Sequence, residues 1–316
     1  MKVVIPAGTG QVGTVLARKF NAEGHDVVVL SRSAAQLPWR SVVWDAETLG
    51  TWADEIDGAD VVVNLAGRNV NCRYNDTTRR EIMDSRINST KVIGEAIARC
   101  ASPPRVWLQA STATIYSHRF DAANDEHTGI IGGAEPDAPA SWRFSIDVAR
   151  NWEKAVEDAD TPHTRKVLLR SAITLSPDRG GIFDVLLALA RRGLGGTAGS
   201  GRQYISWIHD VDFVRAVKWL IEHDEVSGPV NLSSPLPLPN KEFMRVLREA
   251  WGARIGLPAS EWMLAIGAIL MRTETELALK SRRVVPAKLI ESGFEFAFAD
   301  WDRAARDLCS RWRNAN

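Results

Sequence analysis

The sequence predicts an α/β fold, with a doubly wound parallel sheet and a smaller, mainly helical C-terminal region. Short β-branched runs alternate with longer amphipathic stretches, and a glycine-rich turn follows the first run. Runs such as Val27-Val28-Val29-Leu30 are continuously apolar, as parallel strands covered by helices on both faces require. Strand–helix alternation then implies right-handed βαβ units.

Six strands and three covering helices are predicted in the first part of the chain. The strands are residues 2–6, 26–30, 42–44, 60–64, 105–110 and 165–170. The helices are residues 11–23, 77–100 and 142–159, which lack internal proline and space apolar residues three and four apart. After Lys241 the pattern is mainly helical, and the apolar segment 262–271 predicts a packed helix too short to span a bilayer.

Composition and charge narrow the class of partner. The 316 residues are 45% hydrophobic, the ordinary level for a globular core. Lys+Arg and Asp+Glu both number 39, so the net charge is zero and no strong field favours nucleic acid or an anionic membrane. The clusters Arg79-Arg80-Glu81 and Ser281-Arg282-Arg283 are interpreted as solvated faces. A small-molecule ligand is the expected partner.

The cysteines and the apolar runs predict a reducing compartment. Cys72, Cys100 and Cys309 are odd in number, far apart and never in a Cys-x-x-Cys pair, which argues against a disulfide framework and a zinc site. No metal is expected. Neither a signal-peptide run nor about 18 uninterrupted apolar residues occurs, so a cytoplasmic location is expected.

A glycine-rich turn joins the first predicted strand to the first predicted helix. Its residues are Gly8, Thr9, Gly10, Gln11, Val12 and Gly13. Glycine lets the backbone turn sharply and approach a pyrophosphate, and the amides and dipole of the helix start favour an anion. This predicts a Rossmann-type dinucleotide site, with backbone amides of Gln11 and Val12 as donors. The alternative is a tight turn with no ligand.

The end of the second strand indicates which dinucleotide binds. An NAD-preferring site usually has an acidic residue there, but this chain reads Leu30-Ser31-Arg32-Ser33. Arg32 can offer a guanidinium fork to a 2′-phosphate, and Ser31 adds a hydroxyl, so NADP is predicted over NAD. The alternative is an arginine that is merely solvated.

Several motifs together resemble one family. They are the glycine turn, Ser31-Arg32, Asn64-Leu65-Ala66-Gly67, Ser85-Arg86, Trp152-Glu153, Gly-Ser-Gly-Arg-Gln before Ser206-Trp207-Ile208-His209, and Pro286-Ala287-Lys288-Leu289. In this order the chain resembles the atypical, epimerase-like short-chain dehydrogenases/reductases, including their small C-terminal domain of unknown function. The resemblance covers nearly the whole chain.

The resemblance also implies cofactor contacts. It implies that Leu65, Ala66 and Gly67 line the cofactor after the fourth strand, and that Glu81, Arg86 and Thr174 lie near it. Pro6-Ala7 departs from the family, whose members often have Thr-Gly or Gly-Gly, so the first turn carries a Cβ and loses an amide. A weaker cofactor affinity with an unchanged fold is expected.

Two domains are predicted on this basis. Residues 1–175, with parts of 205–232, would form the NADP-binding domain. Residues 176–204 and 233–316 would form a smaller substrate-side domain, because glycine pairs and the proline-rich segment 233–240 change the texture of the sequence there.

The usual acid–base pair of the superfamily is missing. Active members use Tyr-x-x-x-Lys on one helix, where the lysine charge lowers the pKa of the tyrosine. Anchored on Glu153, the resemblance puts Ser145 at the tyrosine position and Ala149 at the lysine position. Thr112 keeps the hydroxyl that orients the substrate, while Arg86 stands where an asparagine is common.

Other residues are candidates for the chemistry. Tyr116, His118 and His209 could supply an acid or base, although each could equally be structural. Polar groups that could face a substrate come from loop 68–76 and from the segment after residue 200; they are Arg73, Tyr74, Arg202, Gln203, Trp207 and His209. Trp207 could instead be core.

Two functions remain open from the sequence. The first is an NADP-dependent, epimerase-like oxidoreductase acting on a small polar substrate. The second is a catalytically inactive NADP sensor that works through a protein partner, which the missing Tyr and Lys favour. An enzyme should leave a pocket between the nicotinamide and loop 68–76, whereas a sensor can fill it with side chains. A homodimer is a habit of the superfamily only.

Overall fold

The computed structural model describes residues 1–34, 36–135, 138–139, 142–260, 262–263 and 274–315. Most of the predicted apolar helix 262–271 therefore lies outside the described residues. Eleven strands are labelled in chain order: β1 Lys2–Pro6, β2 Asp26–Ser31, β3 Arg40–Val43, β4 Val61–Asn64, β5 Val106–Thr112, β6 Arg165–Ser171, β7 Ile173–Leu175, β8 Tyr204–Ile205, β9 Trp207–His209, β10 Gly228–Leu232 and β11 Leu238–Pro239.

The described helices cover and extend this sheet. They are α1 Gln11–Ala22, α2 Asp76–Arg99, α3 Arg143–Glu157, α4 Ile182–Arg191, α5 Asp210–Glu222, α6 Asn240–Trp251, α7 Glu276–Leu279, α8 Ala287–Glu291 and α9 Trp301–Ala315. Short 3-10 helices span Thr51–Glu55 and Ala113–Ile115. The predicted helices correspond to α1, α2 and α3 within one or two residues at each end.

The main sheet has seven parallel strands in the order β3-β2-β1-β4-β5-β6-β10. This confirms the predicted doubly wound class, and the order of the first six strands is that of dinucleotide-binding domains. Strand β10 was not among the six predicted strands, and Pro229 lies inside it. The position is tolerated because β10 is the edge strand.

Two layers of side chains bury the two faces of the sheet. On one face, Val3 and Ile5 of β1 pack with Phe20 of α1 and with residues of α5. On the other face, Val4 packs in one cluster with Ile93 of α2 and with residues of α3. Successive residues of β1 thus enter opposite cores, which explains why its sequence is apolar throughout.

A third hydrophobic core lies outside these two layers. It joins Phe183 of α4, Phe243 of α6, Trp301 of α9 and Trp207 of β9. The Phe243 and Trp301 rings stack with centroids 4.1 Å apart. This core corresponds to the mainly helical region that the sequence predicts, while the exact division into two domains stays a prediction.

The carboxyl ends of the parallel strands share one edge of the sheet. Strand order reverses between β1 and β4, and ligands of doubly wound folds bind in the crevice outside such a reversal. The glycine turn follows β1, and Leu65 and Thr112 lie at the ends of β4 and β5 on the same edge. In the described part of the chain, no helix combines the length and apolar character needed to cross a membrane.

Candidate functional site

Two glycines of the turn are required by the packing of α1 on the sheet. A Cβ on Gly8 would lie 2.8 Å from Cγ2 of Val29, and a Cβ on Gly13 would lie 2.5 Å from the Gly8 Cα. Ala7, just before them, has a φ of 57°, in the left-handed region that favours glycine. The departure at Ala7 thus leaves the turn in place, with some backbone strain.

The third glycine has a different surrounding. A Cβ on Gly10 would meet one neighbour only, the Ala7 carbonyl oxygen, at 3.7 Å, and the φ of −72° suits any residue. Gly10 is the N-cap of α1, yet no side chain caps this helix and no acidic residue lies in its first turn. The start of α1 is therefore open to an anion that approaches the backbone.

Gln11 and Arg32 place further donors near this turn. The Gln11 Nε2 atom is buried and donates to no acceptor in the described chain. Arg32 is exposed and lines a surface depression with Trp44 and Asp45, while Ser31 is buried at the end of β2. Arg32 forms no ion pair with a described residue, so its guanidinium is available to a ligand.

A cavity of about 120 Å³, partly open to solvent, lies at the carboxyl edge of the sheet, beyond β5. Two of its lining residues, Val70 and Tyr74, come from loop 68–76. The full lining is Val70, Tyr74, Ile82, Arg86, Thr112, Thr114, Phe144, Ser145, Val148, Trp152, Glu276 and Arg282. The cavity therefore combines an apolar wall with a few ionisable and hydroxyl groups, the usual make-up of a small-molecule site.

Ser145 belongs to a buried hydrogen-bonded cluster in the cavity wall. Its Oγ donates to Oε2 of Glu276 at 2.6 Å, and the other carboxylate oxygen lies 3.5 Å from Nζ of Lys280. Lys280 also donates to the Thr114 carbonyl at 2.8 Å. Burial lowers the pKa of Lys280 to about 8, although the negative charge of Glu276 opposes this shift.

The Tyr74 phenol shares this part of the cavity. Burial raises the pKa of Tyr74 to about 12, and the charge of Glu276 adds to the rise, while a hydrogen bond with Ser145 opposes it. The ring packs edge-on against Phe144, with centroids 5.3 Å apart. At neutral pH the phenol is therefore protonated, so it can donate its proton but does not act as a base.

Two guanidinium groups complete the wall. Arg86 donates from Nη1 to the Ile82 carbonyl at 3.0 Å and lies over the Trp152 ring, 4.9 Å from the centroid. Burial lowers the pKa of Arg86 to about 10. Arg282 donates from Nε to Oγ1 of Thr114 at 3.1 Å, and burial lowers its pKa too.

Comparisons with known proteins agree with this geometry. Residues 3–139 match the NAD dependent epimerase/dehydratase family, and residues 259–308 match a domain of unknown function, DUF1731. The human epimerase family protein SDR39U1 is 30% identical over 312 residues, which cover 98% of this chain and 99% of the human protein. The chain belongs to this epimerase family.

Other relatives extend the match. The Bacillus subtilis epimerase family protein YfhF is 30% identical, with 98% of each chain covered. A crystal structure of the human family member SDR39U1 with NADPH superposes with a TM-score of 0.85 at 28% identity, covering 98% of this chain and 99% of that chain. The resemblance stated from the sequence motifs is thereby confirmed.

The two positions that the resemblance assigns to the acid–base pair have different surroundings. Ser145 lines the cavity, whereas Ala149 is fully buried and packs with Ala113, Ile115 and Tyr116. Thr112 also lines the cavity, where its Oγ1 accepts a hydrogen bond from the Thr114 amide at 3.1 Å. That Thr112 orients a substrate stays a prediction.

Tyr116 and His209 have structural surroundings, contrary to the suggested chemical roles. The Tyr116 hydroxyl bonds Asn231 and Arg170, both at 3.0 Å, in a buried network away from the cavity lining. His209 is buried, bonds Asp307 at 3.0 Å and stacks on Phe298 at 3.8 Å. His209 therefore attaches α9 to the start of α5.

Some of the other residues predicted to contact a substrate pack within the protein, and one of them lines the cavity. Trp207 is fully buried in the third core, and Gln203 donates to the backbone carbonyls of Ala198 and Ala278. Arg202 is exposed, with its guanidinium 5.8 Å from the Phe120 ring. Packing thus accounts for Trp207 and Gln203, and of the six candidates Tyr74 is the one that lines the cavity.

Arg73 and His118, two further candidates, have contacts within the protein. Arg73 lies 3.9 Å from Glu274, and the Tyr74 amide donates to the same carboxylate at 2.9 Å. The His118 ring accepts a hydrogen bond from the Ser281 amide at 2.8 Å and packs edge-on against Trp142. Neither Arg73 nor His118 is among the described residues that line the cavity.

The predicted cofactor residues after β4 lie at the sheet edge. The Leu65 amide donates to the Pro6 carbonyl at 3.1 Å, and the Ala66 amide to Asn64 Oδ1 at 3.0 Å. A Cβ on Gly67 would lie 3.1 Å from Cζ of Arg86. Glu81 pairs with Arg68, and Thr174 is buried on β7. Their contacts with a cofactor stay predictions.

Sequence reasoning missed three residues of the cavity cluster. Glu276, Lys280 and Arg282 lie in a C-terminal segment, and the interpretation of Arg282 as part of a solvated face was wrong. The available signal was two opposite charges, Glu276 and Lys280, four residues apart beside the apolar residues 277–279. The three cysteines are free thiols, and the described residues contain no group of acids, histidines and cysteines that could hold a metal.

Proposed function

We propose that this protein is an NADP-dependent, epimerase-like oxidoreductase that acts on a small polar substrate without the usual Tyr-x-x-x-Lys pair. The observation that carries the proposal is the cavity beside β5, which loop 68–76 borders without filling. A binding protein that kept the nucleotide for structural reasons would have no need of this space. Membership of the family supports the binding of a nucleotide but does not identify the substrate.

The cofactor pyrophosphate fits the start of α1. Packing within the protein does not explain why position 10 is a glycine, since a Cβ on Gly10 would make only an ordinary contact. A bound pyrophosphate needs to come close to the backbone at this glycine, and the amides of Gln11 and Val12 would hold the pyrophosphate. The unpartnered Gln11 Nε2 is an additional donor on the same turn.

The end of β2 supports NADP over NAD. Arg32 is exposed and free of ion pairs with described residues, and Ser31 provides a hydroxyl beside it. A guanidinium fork matches the geometry of a 2′-phosphate, whereas an NAD site would place a carboxylate here. The similar human protein SDR39U1 has a structure with NADPH.

The cavity residues would handle the proton and orient the substrate. The bound nicotinamide would supply or accept a hydride. Tyr74, whose pKa is about 12, would donate a proton to a substrate oxygen, and Ser145 links its phenol to Glu276. Thr112 would orient that oxygen, as the superfamily's hydroxyl residue does. The tyrosine would thus come from loop 68–76 and not from α3.

The experiment has a binding arm and a turnover arm. NADPH and NADH are titrated into the purified wild type and into Arg32→Ala, with nicotinamide fluorescence as the signal. We expect tighter binding of NADPH by the wild type, and about a tenfold or larger loss of NADPH affinity in Arg32→Ala, with NADH little affected. Arg80→Ala, an exposed arginine on α2, is the control and should bind both as the wild type does.

An equal loss of both cofactors in Arg32→Ala would refute the 2′-phosphate assignment. In the turnover arm, NADPH oxidation is followed with a panel of small carbonyl compounds and nucleotide sugars. Oxidation that Tyr74→Phe abolishes would support the enzyme. Tight NADPH binding with no oxidation across the panel would favour the sensor that acts through a protein partner.

A further inference from the structure

The cavity has an excess of positive charge. Its lining contains the guanidinium groups of Arg86 and Arg282 and a single carboxylate, that of Glu276. This carboxylate already accepts a hydrogen bond from Ser145 and lies 3.5 Å from the Lys280 ammonium. Glu276 therefore has little capacity left to neutralise a second cation.

Arg86 is the cation with the least compensation. In the described part of the chain its Nη1 donates to the Ile82 carbonyl, which uses one of the five donors of a guanidinium. No aspartate or glutamate in the described part of the chain forms an ion pair with it, and burial lowers its pKa to about 10. Because burying an unpaired charge is costly, a site of this kind is stabilised when an anion binds.

The rest of the cavity limits the size and nature of that anion. Val70, Phe144 and Val148 give an apolar wall opposite the polar groups. A cavity of about 150 Å³ holds a molecule the size of benzene, so the 120 Å³ found here has room for the body of a small organic acid. A planar carboxylate matches the two parallel donors of a guanidinium.

We infer that this cavity binds a small carbonyl compound bearing a carboxylate, a 2-oxo acid or its hydroxy acid, with Arg86 holding the carboxylate. Tyr74 and Thr112 then face the carbonyl oxygen. As a choice of substrate class the inference rests on the proposed function, but the binding of the acid can be measured without turnover.

The test compares charged and neutral ligands of the same shape. Pyruvate and its longer straight-chain homologues are titrated by calorimetry into the NADPH-saturated protein, together with the matching amides such as pyruvamide. We expect the best acid to bind at least about tenfold more tightly than its amide. Equal binding of acid and amide, or binding of neither, would overturn the inference, and this comparison needs no variant.

Variants assign the effect to Arg86. Arg86→Met should remove the preference for the acid, and Arg86→Lys should keep part of it. Arg80→Met, the same change at an exposed position of α2, should behave as the wild type. If Arg86→Met weakens NADPH and leaves the acid preference intact, Arg86 is a cofactor contact and the inference is wrong.

The two proposals fail in distinguishable ways. Failure of NADPH to bind the wild type contradicts the proposed function, whatever the acids do. NADPH binding without selection of acids over amides contradicts the substrate class alone.

Discussion

Lys280 is a buried lysine, 2% exposed, that lies 3.5 Å from the carboxylate of Glu276, one of the residues that line the cavity. An ammonium group in such a place loses most of its hydration, and one ion pair at 3.5 Å does not restore it. The folded protein therefore releases the proton near pH 8, whereas the unfolded chain keeps it up to about pH 10.5. The position links the stability of the cavity wall to pH.

The sign of this linkage gives a prediction. Between about pH 8 and 10.5 the unfolded chain holds more protons at Lys280 than the folded protein does, so its contribution to stability rises with pH in that window. We expect the free energy of unfolding of the wild type, minus that of Lys280→Met, to increase by up to about 3 kcal/mol between pH 7 and pH 10. Urea unfolding at each pH measures it, and a constant difference would show that Lys280 titrates normally.

Among the secondary-structure elements, the turn between β1 and α1 contains two glycines, Gly10 and Gly13, whose surroundings differ. Because Gly13 has no Cβ, the first turn of α1 packs directly on the backbone of Gly8. A Cβ on Gly13 would overlap that backbone. Gly10 has room for a side chain and a backbone that any residue can adopt. Packing of the two elements therefore explains Gly13, whereas the proposed pyrophosphate would explain Gly10.

A pair of matched substitutions separates these two explanations. Gly13→Ala should destabilise the protein by about 2 kcal/mol or more, because the new Cβ overlaps the Gly8 backbone. Gly10→Ala should cost about 1 kcal/mol or less in stability but should weaken NADPH binding at least about tenfold. Thermal unfolding and fluorescence titration of both variants provide the readouts. Unchanged NADPH affinity in Gly10→Ala would contradict a pyrophosphate at this turn.

At the scale of the whole molecule, the C-terminal segment is joined to the sheet by hydrogen bonds. Oε1 of Glu126 accepts from the Asn231 amide of β10 at 2.7 Å, and Oε2 accepts from the Ala287 amide of α8 at 2.9 Å. The Asn124 amide donates to the Arg283 carbonyl at 2.7 Å, two residues earlier in the same loop. These contacts hold residues 276–288 beside the sheet, where Glu276 and Arg282 reach the cavity.

This attachment predicts that the nucleotide half and the C-terminal segment unfold together. Glu126→Ala should leave buried backbone amides without acceptors and destabilise the protein by about 2–4 kcal/mol. Circular dichroism and tryptophan fluorescence should report a single, coincident transition in urea. Glu291→Ala, whose carboxylate is 61% exposed and pairs with His127 at the surface, is the control and should change stability by less than about 1 kcal/mol. Separate transitions by the two probes would contradict the coupling.

The parallel sheet, the glycine turn and the family could be predicted from the sequence, because local patterns of residues specify them. An apolar run predicts a buried strand wherever the chain goes next, and the turn needs only its own six residues. The sequence also predicts that Ser145 and Ala149 stand at the positions of the usual acid–base pair.

The set of residues that line the cavity depends on the tertiary structure and could not be predicted from the sequence. Ser145 and Glu276 are 131 residues apart, and their contact depends on how the C-terminal segment returns to the sheet. The same reason explains why the sequence left Tyr116 and Trp207 open between two roles and why the solvated face predicted for Arg282 was wrong. Whether a polar or aromatic side chain meets a ligand, a core or water is set by distant neighbours. A short pattern carries no information about those neighbours.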